Sequence, residues 1–238
     1  MRLLPKGSWF ESRPGSKRSL MNRIPVVAVS IGMATGIYAI SFGALGVTAG
    51  LTTLETMLLS LVMFSGASQF AFVGVVATGG LAAIPTAIAS AWLLGVRNGF
   101  YALRMAPVLG MPGIAKMLSA QLTIDESTAV ATAQSNPADE RRGFWWTGAS
   151  VFLFWNLMTL AGALLGDQIG DPANFGLDSA AAAAFLGLVW PRLNSNIYRL
   201  IGLTALIVAI ATSPFVSAGI PVLLGALVAA IIQYWGSR

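Results

Sequence analysis

Residues 56–96 read TMLLSLVMFSGASQFAFVGVVATGGLAAIPTAIASAWLLGV, 41 consecutive positions without a charged side chain. A helix that crosses a bilayer takes about 20 apolar residues, so this stretch is too long for one helix. Ala77-Thr78-Gly79-Gly80 is its natural turn, which predicts spans near 55–77 and 81–103. Working outward, further uncharged runs lie at 24–54 (31 residues), 143–166 (24) and 200–237 (38). Hydrophobic residues make up 56% of the chain and charged residues 10%, with a mean hydropathy of +0.75. That is more apolar surface than a water-soluble domain can cover. The expected fold is all-α, a polytopic helical membrane protein of about seven spans with short or broken helices.

The remaining spans follow from the same pattern. The first runs from Pro25 to Val47 and carries Gly32, Gly36, Gly43 and Gly46, small residues that permit close helix contact. Trp145–Gly166 is another, 176–190 is short, and 200–237 divides at Ser213-Pro214 into pieces near 197–213 and 215–235. FGALG at 42–46, Leu51 and FSG at 64–66 echo AGALLG at 161–166, Leu177 and FLG at 185–187. Short, glycine-interrupted segments at matching places are the pattern of an internal inverted repeat, which this echo leaves open.

Charge sets orientation. Six of the 14 cations, Arg2, Lys6, Arg13, Lys17, Arg18 and Arg23, precede the first apolar run against one acid, Glu11. By the positive-inside rule, residues 1–24 form a cytoplasmic basic tail that stays attached, followed by one transmembrane domain over 25–238. A conflict follows. Three spans from a cytoplasmic start end outside after Leu103, yet Arg141 and Arg142 argue for a cytoplasmic start to the next span. Either 107–135 adds an extra or broken crossing, or the halves are inverted and the few later arginines do not decide topology.

The composition also excludes chemistry. There is no cysteine and no histidine, which removes disulfides, thiolate nucleophiles and the commonest metal ligand and general base. No phosphate-binding or dinucleotide-binding glycine motif and no HExxH occurs, so no enzyme activity, cofactor, metal or nucleic-acid partner is expected.

Four groups stand out for chemistry. Arg97 and Arg104 are seven apart and share a helix face, about 10 Å between Cα atoms. Arginine inside an apolar span costs several kcal/mol unless it meets a partner or a cavity. Arg97 either attracts a carboxylate or locks a structural ion pair. Ser65, Ser68 and Gln69 make a neutral polar stripe flanked by Phe64 and Phe70, suited to a zwitterion or to interhelical hydrogen bonding. Asp125-Glu126 within LTIDES is an acidic pair in an apolar stretch. It is either a proton carrier or, with Thr123-x-x-Glu126, a capping box like Thr52-x-x-Glu55. Asp178 before SAAAAAF caps a helix or opens a half-helix binding site.

SFGALG (41–46), LVMFSGASQFA (61–71) and LLGVRNGFYAL (93–103), followed by LTIDES (122–127), NPADERRGFWWTGASVFLFWN (136–156) and GLDSAAAAAFLGLVWPRL (176–193), resemble in the same order the AzlC family. These are the large subunits of bacterial branched-chain amino-acid exporters. The resemblance implies an inner-membrane secondary exporter of valine, leucine and isoleucine, driven by the proton motive force and working with a small hydrophobic AzlD-type subunit. Relatives commonly carry Asn-x-Arg-His where this chain has Gly95-Val96-Arg97-Asn98, so the arginine is kept and its neighbours differ. On this reading the substrate carboxylate faces Arg97 or a half-helix N-terminus and its ammonium faces Gln69, Ser65 or a carboxylate, with Ser68 and Asn98 also in the substrate site. Phe64 lies against the substrate's tail, and Asp125, Glu126 or Asp178 carries the coupling proton. The competing reading is a non-transporting membrane scaffold or sensor whose charges only pair with a partner.

Overall fold

The computed structural model describes residues 23–169, 186, 189–190, 193–216 and 219–236. Asp178, and Leu177, Phe185 and Gly187 of the sequence echo, lie outside the described residues. Among the described residues all regular structure is helical: α1 (Ile24–Thr48), α2 (Thr53–Val62), α3 (Gly66–Gly79), α4 (Ile84–Leu109), α5 (Gly113–Gln121), α6 (Asp125–Thr132), α7 (Pro137–Ile169), α8 (Asn196–Thr212) and α9 (Ile220–Gly236). Expected boundaries at α1, α8 and α9 hold to within a few residues. The aromatic cluster at 144–146 lies inside α7, which begins eight residues before Trp145.

The organising contact is α1 on α7. Along α1 the buried positions Ala28, Gly32, Gly36, Ala39 and Gly43 recur every three or four residues, one helical face of small side chains. A methyl group at Gly32 would stand 2.8 Å from the Ser150 backbone, and one at Gly36 3.3 Å from Met158. At Gly43 it would collide with the Thr159 carbonyl, and at Gly162 with the Ile40 carbonyl. The partner numbers rise together, so α1 and α7 run parallel, and the FGALG and AGALLG segments pack against each other. Large apolar side chains occupy the other face, with Val26 65% and Ile37 68% exposed. Small residues inside and large apolar ones outside is the pattern of a helix bathed in lipid. Gly43→Val forces the two backbones apart. Overpacking of this kind costs about 1–3 kcal/mol, and we expect a lower melting temperature and less monodisperse protein in detergent extracts.

The stretch 55–77, expected as one span, is instead two helices whose chain direction reverses between them. Helix α2 descends from Thr56 beside Gly46 to Ser60, whose hydroxyl donates to Thr159 Oγ1 at 3.2 Å. Helix α3 climbs back, from Gly66 against Trp155 to Phe70, whose ring meets Phe42 edge-on at 5.8 Å. The reversal at Met63–Ser65 exposes the last carbonyls of α2, which have no helical partner. Two glutamine amides meet them. Gln69 Nε2 donates to Leu59 O and Ser60 O at 3.3 and 3.4 Å, and Gln121 Nε2 to Leu61 O and Val62 O at 2.7 and 3.4 Å. The start of α2 is the expected capping box: Glu55 N–H donates to Thr52 Oγ1, and Thr52 N–H to Glu55 Oε2.

Helix α4 descends beside α3, with Gly95 facing Ser68, and ends where Arg141 Nε donates to Val108 O at 2.6 Å. Helix α5 then climbs along it, Lys116 and Thr123 sharing a cavity with Leu109 and Ala102. Helix α6 descends along α7, Leu122 against Gly148 and Val130 against Gly143. Residues 113–132 are thus a second helical hairpin, entering from the opposite end of the bundle. This hairpin returns to the end it enters from and so adds no crossing; the reversal within 55–77 is what removes the orientation conflict, since only α4 then leads back from the far end of α1. Because α1 and α7 are parallel, Arg23, Arg104, Lys116, Arg141 and Arg142 all lie at one end. The parity problem disappears. Helices α8 and α9 pair through Gly225 and Ala205, and Gly219, at φ +87° where a side chain would be strained, abuts Val75 and Thr86.

Candidate functional site

The tips of the two hairpins meet at mid-height of the bundle, around a cavity of about 100 Å³. Phe64, Ser65, Gly66 and Ala67 come from the first tip, and Ile124, Asp125 and Glu126 from the second. Arg97 and Asn98 come from α4, Val151 and Trp155 from α7, and Thr35 and Tyr38 from α1. Both α3 and α6 begin at this cavity, so the positive ends of two helix dipoles converge on it. No side chain caps the first turn of α3.

Arg97 meets Asp125 here, with 2.8 Å between NH1 and Oδ2 and both side chains 31% exposed. The contact uses one nitrogen and one oxygen. Arg97 Nε and Asp125 Oδ1 are buried without a partner, as is Asn98 Oδ1 of the neighbouring residue. A buried polar atom left unpaired costs about 1–3 kcal/mol, more when charged. Several such atoms around one cavity are poor design for stability and good design for a polar ligand.

The acidic pair is not a capping box. Ser127 caps α6 instead, its Oγ accepting from Ile124 N–H at 3.1 Å, while Thr123 Oγ1 donates to Ser119 O at 2.6 Å. That leaves Asp125 for Arg97 and leaves Glu126 half-buried on the cavity wall. Of the polar stripe, Ser65 lines the cavity and shares a 3.1 Å hydrogen bond with Ser68. Ser68 faces an adjoining groove that also touches Asn98. Gln69 is fully buried away from the cavity and holds the α2 break. Arg104 pairs loosely with Glu140 at 3.9 Å, and Asn156 and Thr159 make only helix contacts.

The family described as AzlC protein matches residues 30–169, more than half of the chain and the whole of the segment that builds this cavity. The chain belongs to the AzlC family. Neither a curated relative nor a solved structure matches it. AzlC membership makes it a membrane protein of an amino-acid transport family, which is not a family of enzymes.

Trp155, Tyr38 and Gln121 were not singled out from the sequence. One signal for Trp155 was available. In an AzlC chain, as in any membrane protein, tryptophan is expected near the interface, and Trp155 lies more than ten residues inside an uncharged run. Nothing local marks Gln121, whose role depends on carbonyls some sixty residues earlier.

Proposed function

We propose that the chain is the large subunit of a proton-coupled secondary exporter of valine, leucine and isoleucine. It works in the bacterial inner membrane with its N-terminus in the cytoplasm, beside a small hydrophobic AzlD-type subunit. The observation that carries this reading is the half-satisfied Arg97–Asp125 pair at the meeting point of two oppositely directed helical hairpins. A zwitterion complements such a pair head to tail. Its carboxylate takes Arg97 and the uncapped start of α3, and its ammonium takes Asp125 Oδ1 with Asn98 and Ser65. Phe64, Ile124 and Val151 supply an apolar wall for the tail.

Broken helices that put their N-termini at mid-depth are a common transporter device, because irregular backbone is tolerated in a bilayer only where it lines a cavity or is buried. On this reading α1, α4 and α7 cross the membrane, and α2–α3 and α5–α6 enter half-way from opposite faces. The cations at the shared end of α1, α4 and α7 make that end cytoplasmic.

The coupling proton is assigned to Glu126, which lines the cavity beside the ion pair. The test is reconstitution with and without the small partner. Labelled valine accumulates against its gradient when a pH gradient is imposed, whereas a scaffold or sensor subunit moves none. In Glu126→Gln we expect valine counterflow to continue, and accumulation driven by the pH gradient to fall about tenfold or more. Counterflow and accumulation falling together would take the proton from Glu126.

A further inference from the structure

Trp155 is the largest side chain on the cavity wall, and its single polar atom has no partner. It is 7% exposed, and its indole N–H is buried without an acceptor. Phenylalanine would fill an apolar niche without that penalty, so retention of the indole needs another reason. The ring is also held fast. It stacks on Phe42 at 6.4 Å and 29°, and Phe70 meets it edge-on at 6.5 Å. On the hairpin side, a methyl group at Gly66 would stand 2.8 Å from Trp155 Cη2, so position 66 is glycine where the indole needs the room. The first hairpin therefore closes directly onto this ring.

We propose that Trp155 is a substrate-binding and specificity-determining residue. Its indole N–H donates to the carboxylate already assigned to Arg97, and its ring face sets how long a side chain the cavity admits. The proposal rests on the amino-acid transport reading and deepens it. Arg97 alone selects for a carboxylate; a rigid indole backed by Phe42 and Phe70 adds selection for short, branched tails over long or aromatic ones. The donor fits the acceptor class, since an indole N–H donates only. The backing rings fit the size selection, since a close-packed wall cannot yield to a larger side chain without repacking.

The test is equilibrium binding of labelled valine, leucine and phenylalanine to the purified full chain in lipid nanodiscs. Trp155→Phe keeps the ring and removes the donor, and we expect valine to bind about tenfold more weakly with the order of the three ligands unchanged. Trp155→Leu removes the wall, and phenylalanine should rise to or above valine. Gly66→Ala leaves Trp155 intact but presses the ring inward. It should discriminate against leucine relative to valine, and it keeps the idea testable if Trp155→Leu does not fold. Valine affinity unchanged in Trp155→Phe, or ligand order unchanged in both Trp155→Leu and Gly66→Ala, would overturn the proposal. Wild-type protein that binds none of the three would instead sink the transport reading beneath it.

Discussion

Arg97→Gln reduces valine transport about a hundredfold or more while the protein still inserts and folds. The size follows from what the guanidinium supplies. A hydrogen bond to a charged group is worth about 1.5–3 kcal/mol, and every 1.4 kcal/mol is tenfold, so two bonds to a carboxylate account for the loss. Survival of the fold follows from exposure. Removing one partner of a fully buried pair costs about 3–5 kcal/mol, but the Asp125 side chain is 31% exposed, so the penalty is smaller. Arg97→Lys keeps the charge but loses the planar fork and its Nε donor, and should fall between the two, at about a tenfold loss. The decisive variant is the double one, Arg97→Gln with Asp125→Asn. It leaves no unpaired charge, so any stability lost in the single variant should return. Transport should stay lost. A double variant that exports valine at the wild-type rate would reduce the ion pair to a structural lock and leave the cavity without its main ligand.

How far the sequence carried this reading can be judged residue by residue. The helical membrane class was legible because 56–96 is too long and too apolar for any soluble element. The break at Met63–Ser65 was not legible. No proline marks it, serine and glycine are ordinary in membrane helices, and the carbonyls it frees are met partly by Gln121, a contact no local pattern encodes. Arg97 could be singled out because arginine in an apolar run needs a reason, but its partner could not be chosen until α6 turned Asp125 towards α4. Thr123-x-x-Glu126 looked like a capping box as surely as Thr52-x-x-Glu55 did. Only the second is one, because α6 starts one residue later than that pattern implies: Ser127 accepts from Ile124 N–H, and Thr123 N–H, which Glu126 was expected to serve, donates to Ala120 O. The parallel course of α1 and α7 was invisible for a similar reason: glycine positions reveal close contact and say nothing of direction.

Cross-linking the second hairpin to α7 stops transport and a reductant restores it. The argument begins from volume. A cavity of about 100 Å³ is smaller than the roughly 150 Å³ that holds a benzene-sized molecule, so its wall, of which both hairpin tips are part, must give way before leucine fits. The second tip rides on α7 at Gly148, where a built Cβ would lie 2.9 Å from Leu122 Cβ. Disulfides take Cβ atoms about 3.5–4.5 Å apart, a separation that a main-chain shift of under about 1 Å provides for Leu122→Cys with Gly148→Cys. The chain has no cysteine of its own, so these are its only thiols. Oxidised protein should transport valine at about a tenth of the reduced rate or less, because closure and opening of such elements gate turnover. Each single-cysteine variant should be indifferent to oxidant. A second pair, Gly46→Cys with Thr56→Cys, has Cβ atoms 3.2 Å apart and pins the α2 arm of the opposite hairpin to α1. If the hairpins are two gates on one site, both locks block transport but differ in sidedness. Pinning the cytoplasmic hairpin leaves valine binding from the outer face, and pinning the outer hairpin leaves binding from the cytoplasmic face. Oxidised protein of either kind that still turns over at the reduced rate would mean that the hairpins are rigid and that the amino acid passes elsewhere.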